Sequence, residues 1–190
     1  FEPRWSLGAR DQSPATVAPQ RCTVLGAGIS GASVAYALAR RGWQVTVLDQ
    51  HAAAAGGASG LPAGLVVPHV SADDSPRSRM SRVGARLMLQ HAAALLQDGT
   101  DWHASGVQEH DLEENTTRWH PQGAWIRPAR LVQAWLRHPG IRCQFGARVT
   151  GLERSDGVWR LTGPEGQTWA EAELLVLANA TGCVPLMLDP

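Results

Sequence analysis

Arg21-Cys22-Thr23-Val24-Leu25-Gly26-Ala27-Gly28-Ile29-Ser30-Gly31, taken with Gln44-Val45-Thr46-Val47-Leu48-Asp49 downstream, decides the fold. Residues 21–25 are short, apolar and partly β-branched, which reads as a buried strand. Residues 26–31 follow at once and fit G-x-G-x-x-G. Residues 33–41 read as a helix that Gly42 stops, and residues 44–48 as a second strand closed by Asp49. Strand, glycine-rich turn, helix, strand and acid come in the order that a dinucleotide-binding βαβ unit requires.

Each residue of the turn has a physical task. Gly26 permits the tight exit from the strand, Gly28 lets bare backbone approach a pyrophosphate, and Gly31 lets the helix pack near the strand. The helix N-terminus offers unpaired N–H groups and about half a positive charge, which suits a diphosphate. Ile29 and Ser30, in the turn, are candidate cofactor contacts with the three glycines. Asp49 lies 23 residues after Gly26. Its carboxylate can accept hydrogen bonds from ribose hydroxyls, and its charge repels a 2′-phosphate, which disfavours NADP. The fingerprint alone leaves FAD and NAD open.

Composition narrows the class. The 190 residues are 44% apolar, enough for a core, and 17 acidic residues balance 17 basic ones, all Arg. No global basic field gathers nucleic acid. The three cysteines (Cys22, Cys143 and Cys183) stand singly, without C-x-x-C spacing, and the seven histidines form no H-E-x-x-H. No metal site is therefore expected. An odd cysteine count without a signal peptide points to a reducing, cytoplasmic setting. No apolar run approaches the ~20 residues of a membrane-spanning helix.

Residues 1–20, with Pro3, Pro14 and Pro19, read as a linker, and the chain as a whole as a fragment. Residues 51–60 are small and glycine-rich, a second place where backbone can approach a cofactor, with Ser59 offering a hydroxyl. Residues 65–67 read as a short strand. Ser75-Pro76 starts a helix over 77–97 whose apolar set is Met80, Val83, Leu87 and Leu95. Arg79, Arg82 and Arg86 share a face of it, read as a solvated face rather than a phosphate stripe. Strands are expected over 107–111 and 124–126, a helix over 128–138, and then a β series at 142–145, 147–154, 158–162 and 167–172, with Ser155-Asp156-Gly157 as a hairpin turn. Residues 174–177 read as a buried strand leading into Ala178, Thr181 and Gly182. Trp102, Trp119 and Trp125 fall in the expected substrate layer.

Together these segments, from about Arg21 to Gly182, resemble the FAD-dependent oxidoreductases of the D-amino-acid oxidase and glycine oxidase family. The resemblance implies FAD as cofactor. It places the diphosphate and ribose at the glycine turn and Asp49, a second flavin-contacting loop at Ala58, Ser59 and Gly64, the adenine at the backbone of Val149, and a late flavin segment at Ala178, Thr181 and Gly182. The segments Gly57-Ala58-Ser59-Gly60, Trp102-His103-Ala104-Ser105-Gly106 and Gln122-Gly123-Ala124-Trp125-Ile126-Arg127-Pro128 are more similar still to a tRNA-modifying branch of the family. In that branch a methyltransferase domain precedes the oxidoreductase. That resemblance implies removal of a carboxymethyl group from a modified wobble uridine as glyoxylate. The family loop often continues Asn-Arg-Gln-Gly, whereas here it reads Leu61-Pro62-Ala63-Gly64.

The implied fold is α/β: a Rossmann-like FAD-binding domain with a parallel sheet (21–72 and 140–190) and part of an α+β substrate domain (73–139). The chemistry is hydride removal from the carbon beside an amine nitrogen. His69 and Arg127 are the candidate substrate contacts, Arg127 because a guanidinium clamps a carboxylate. No catalytic residue is assigned. Alternatives are a D-amino-acid dehydrogenase or glycine oxidase-like enzyme on free amino acids, and an inactive nucleotide-binding fragment.

Overall fold

The computed structural model describes residues 18–112 and 115–188. Most of the expected linker, residues 1–17, lies outside the described residues. In chain order the elements are β1 (Arg21–Leu25), α1 (Ile29–Ala39), β2 (Gln44–Asp49), β3 (Gly64–Val66), α2 (Pro76–Leu95), β4 (Trp102–His103), β5 (Val107–Asp111), β6 (Thr116–His120), β7 (Ala124–Ile126), α3 (Pro128–Leu136), β8 (Ile141–Phe145), β9 (Gly151–Ser155), β10 (Val158–Thr162), β11 (Thr168–Ala172), β12 (Leu174–Leu177) and α4 (Cys183–Leu188).

A four-stranded parallel sheet in the order β12-β1-β2-β8 forms the centre. Side chains alternate across it, as the strand period dictates. Cys22, Val24, Val45 and Val47 face α1 and join Ala35, Ala39 and Ile141 in one buried cluster. Leu25 and Leu48 point the other way and meet Ala147 and Leu161. There the antiparallel sheet β11-β10-β9 covers the parallel one. Its first hairpin turns through Asp156 and Gly157, both left-handed at φ 51° and 81°, as an Asp-Gly turn requires.

α3 packs on α1, and a third cluster joins Leu131, Val132 and Trp135 of α3 to Ala92 of α2, Val66 of β3 and Ile126 of β7. A small antiparallel sheet, β3-β7-β4, and the hairpin β5-β6 complete the middle of the chain.

Several expectations needed correction. α1 begins at Ile29, four residues before the expected start, so the last fingerprint glycine lies inside its first turn. α2 begins as expected, with Ser75 as N-cap and Pro76 in the first turn, but the stripe chosen as its buried face is wrong. Met80, Val83, Leu87 and Leu95 are exposed, at 75%, 51%, 51% and 38%. The packed stripe is Ala85, Met88, Leu89 and Ala92, spaced i, i+3, i+4, i+7, whose small residues fit between neighbours. Arg79 and Arg82 on the same helix bond to Asp74, so two of the three arginines are paired. β4 and β6 were not foreseen: one is two residues long, and the other (Thr116–His120) is exposed and polar except at its end. β12 is half-buried rather than buried. The 147–154 strand begins only at Gly151.

Candidate cofactor site

At the carboxyl ends of β1, β2 and β12 lies a cavity of about 620 Å³. This is the crevice where open α/β sheets hold ligands, and the volume is ordinary for a small-molecule site.

The turn after β1 forms one wall. Gly26 has φ 109°, and a Cβ on it would lie 2.5 Å from the Ala178 carbonyl oxygen, so the turns after β1 and β12 touch. A Cβ on Gly31 would lie 1.9 Å from the Gly26 carbonyl oxygen, so Gly31 sits beneath the turn and allows helix and strand to close. Gly28 differs. A Cβ there would meet the Ser59 Oγ at 3.2 Å, a rotatable hydroxyl across the cavity mouth. That Oγ accepts the Ile29 N–H at 2.9 Å. Among the described residues no acceptor takes its own O–H, and the loop and the N-terminus of α1 converge on one place. The Ala55 N–H, donating to the Ala27 carbonyl at 3.0 Å, ties the loop down.

Asp49 forms the second wall. Its Oδ2 accepts the Ala27 N–H at 2.7 Å, and its Oδ1 accepts the His51 N–H at 2.8 Å and lies 2.8 Å from His51 Nδ1. A carboxylate offers roughly four lone-pair directions. Three are engaged, and one on Oδ2 remains for a ligand hydroxyl.

The third wall follows β12. Asn179 lines the cavity, and its Oδ1 is buried with no hydrogen-bond partner among the described residues. An unpaired buried acceptor costs roughly 1–3 kcal/mol, so it points to a donor that the protein does not itself supply. Ala180 beside it is left-handed at φ 51°, an uncommon state for a residue with a Cβ. The backbone from Ala147 to Thr150 closes the far side, held where Trp169 Nε1 donates to the Arg148 carbonyl at 2.9 Å.

Gly26, Gly28, Ile29, Ser30, Asp49, Ala58, Ser59, Val149, Ala178 and Gly182 all line this one cavity. Gly31, Gly64 and Thr181 are not in its lining. Gly64 opens β3, against Pro128. His69 and Arg127 also stand elsewhere. The His69 N–H donates to Ser81 Oγ at 2.7 Å, and Arg127 precedes α3 with its N–H on the Asp101 carbonyl at 2.7 Å. His51 and Asn179 were not singled out from the sequence. The available signal was position: both follow the carboxyl end of a parallel strand. Cys22 sits within β1 facing α1, where burial pushes its thiol up to about 11, far from a reactive thiolate. Among the described residues no cluster of His, Cys, Asp and Glu is placed to hold a metal, and no helix is long and apolar enough to cross a membrane.

These residues fit a dinucleotide such as FAD. A glycine caps a helix N-terminus beside a rotatable hydroxyl for the diphosphate, a carboxylate has a lone pair left for a ribose hydroxyl, and an orphan acceptor awaits a donor.

Comparison with known proteins agrees. The chain is 50% identical over 98% of its length to the tRNA 5-methylaminomethyl-2-thiouridine biosynthesis bifunctional protein MnmC of Albidiferax ferrireducens, covering 32% of that protein. It is 43% identical over 96% of its length to the protein of the same name from Polaromonas naphthalenivorans, covering 34% of it. The chain thus spans about a third of the length of these relatives. Among solved structures, glycine oxidase from Geobacillus kaustophilus shares the fold at TM-score 0.74 and 17% identity, over 89% of this chain and 58% of that one. The fructosamine oxidase Amadoriase II of Aspergillus fumigatus does so at 0.70 and 18%, over 90% and 51%. Residues 21–119 match the model of the DAO family, FAD dependent oxidoreductase, and this chain belongs to that family.

Proposed function

We propose that the protein is an FAD-dependent oxidoreductase that oxidises a secondary-amine C–N bond, the carboxymethylaminomethyl group on the wobble uridine of a tRNA. The observation that carries the cofactor reading is the meeting of the bare Gly28 backbone, the Ser59 hydroxyl and the N-terminus of α1 at one wall of the cavity. The tRNA reading rests on the relatives, whose shared name is that of a bifunctional tRNA-modifying protein. A methyltransferase on the same polypeptide and a cytoplasmic site of action belong to the same proposal, as does the division into a cofactor-binding part (21–72 and 140–190) and a substrate-facing part (73–139).

Bound FAD would supply the hydride acceptor. The chain's own residues bind and orient. The backbone around Gly28 and the Ser30 N–H of α1 take the diphosphate, with the Ser59 O–H as a further donor, since the Ile29 N–H is held by Ser59 Oγ. The free lone pair of Asp49 takes a ribose hydroxyl. Ala178, Asn179 and Gly182 line the side after β12, and the backbone at Val149 the side after β8. Holding the C–H bond in line with its acceptor can lower a barrier by up to roughly 7–11 kcal/mol.

The full-length protein tests this. The expected result is a yellow preparation that takes up FAD and releases glyoxylate from carboxymethylaminomethyl-modified tRNA but not from free glycine or D-alanine. Glyoxylate from free glycine instead would move the substrate to free amino acids, where Leu61-Pro62-Ala63, lacking the polar residues of the usual loop, already departs from the family pattern. A colourless protein indifferent to added FAD would reject the cofactor reading.

A further inference from the structure

The Asp49 carboxylate is gripped from one side by a single residue. Both the backbone N–H and the ring Nδ1 of His51 reach Oδ1 at 2.8 Å. A carboxylate only accepts, so the Nδ1–H of the ring donates to Oδ1. The ring has a built seat. A Cβ on Gly56 would lie 2.6 Å from His51 Cγ, so the loop gives up a side chain where the imidazole rests. The backbone is fixed as well: the Gly146 N–H donates to the His51 carbonyl at 2.9 Å. The His51 side chain is 46% exposed, and the residue lines the same cavity as Asp49. An arginine here would fork across both carboxylate oxygens and compete for the lone pair that a ribose needs. The ring and backbone N–H groups of His51 together saturate Oδ1, and among the described residues Oδ2 keeps only the Ala27 N–H.

We propose that His51 is the positioning residue of the adenosine half of the site: it holds Asp49 so that Oδ2 meets a ribose hydroxyl, and its ring walls that end of the cavity. This rests on the reading of the cavity as an FAD site.

The test uses the full-length protein stripped of flavin and titrated with three probes: FAD, ADP (adenosine without flavin) and FMN (flavin without adenosine). His51→Leu is expected to weaken FAD and ADP about tenfold, as loss of an interaction that orders a charged hydrogen bond should. FMN should change less than about twofold, because it does not reach Asp49. His51→Asn returns an N–H near the Nδ1 position and should recover FAD and ADP to within about threefold of wild type. Gly56→Ala keeps the imidazole but fills its seat, and should weaken ADP as His51→Leu does. A wild-type protein that takes up neither FAD nor ADP overturns this assignment together with the cofactor reading. If wild type binds FAD while His51→Leu binds FAD and ADP equally well, His51→Asn proves no better than His51→Leu, or FMN falls in parallel, the assignment of His51 alone is overturned.

Discussion

In residues 21–49 the apolar residues of both strands are buried: Cys22, Val24 and Leu25 on β1, and Val45, Val47 and Leu48 on β2. In α2 the relation inverts, with Met80, Val83 and Leu87 facing solvent while Ser78 and Ala92 are fully buried. The difference lies in where each segment finds its partner. β1, α1 and β2 cover one another within thirty residues of chain, so local pattern and tertiary burial coincide. α2 packs on β3 before it and on α3, some 35 residues after it, and a helix with two apolar stripes does not itself say which one they will take. The stripe that wins has the smaller residues, because those let helices approach closely.

The sharpest way to break that comparison lies inside the fingerprint. Gly31 is structural and Gly28 faces the cavity, so the two should fail differently. Gly31→Ala forces a Cβ to within 1.9 Å of a backbone oxygen, a clash that no rotamer relieves. It should cost about 3 kcal/mol or more and lower the Tm by roughly 6–12 °C. Gly28→Val meets only the movable Ser59 hydroxyl. It should stay within about 1 kcal/mol of wild-type stability while FAD affinity falls by about a hundredfold or more. Thermal melts of the flavin-free protein beside FAD titrations separate the two. A stable Gly31→Ala, or a Gly28→Val that binds FAD normally, would undo the division.

How far the molecule was legible follows the same line. The order from β1 to β2, the Asp-Gly hairpin and the strand at Leu174–Leu177 are written in local signals, and so are the walls of the cavity that lie in the βαβ turn. β6 is not, because Thr116–His120 pairs through its backbone and buries little. His69 and Arg127 stand outside the lining of the cofactor cavity and stay proposals as substrate contacts, since a carboxylate clamp need not touch the diphosphate site. His51 was passed over because its function runs through Asp49, and Asn179 because an asparagine after a strand looks like turn chemistry. Only three-dimensional structure reveals an orphaned Oδ1 or a glycine emptied for a ring.

Within α2 the inversion can be tested directly. Ser78 Oγ accepts the Arg82 Nη1 donor at 2.7 Å and the Ser71 N–H at 3.2 Å, and donates to the His69 carbonyl at 3.2 Å. Ser78→Ala orphans these groups in a buried place and should cost about 1–3 kcal/mol. Met80→Gln, on the exposed stripe, should stay within about 0.5 kcal/mol. Urea midpoints of the two variants in the full-length protein decide it. A Met80→Gln as costly as Ser78→Ala would mean that the larger apolar stripe is the one covered.

α2 reaches the βαβ unit through a cluster of rings shared with α3. Trp135 Nε1 on α3 donates at 2.9 Å to His91 Nδ1 on α2, with the ring of Tyr36 from α1 edge-on to His91 at 5.5 Å. Burial, and then the charge of Arg40, hold the His91 pKa below its ordinary 6.5. The unfolded chain therefore binds this proton first, so the stabilisation is complete above about pH 6.5 and drains away as pH falls through the lower folded value. Protonation also removes the lone pair that Trp135 uses. His91→Phe should cost about 1 kcal/mol near pH 8, since the Trp135 N–H loses its acceptor, and should reduce the fall in stability between about pH 7 and pH 5. Urea midpoints across that range measure it. An acid limb equally steep in wild type and variant would place the pH response elsewhere and leave the α2–α3 contact to packing alone.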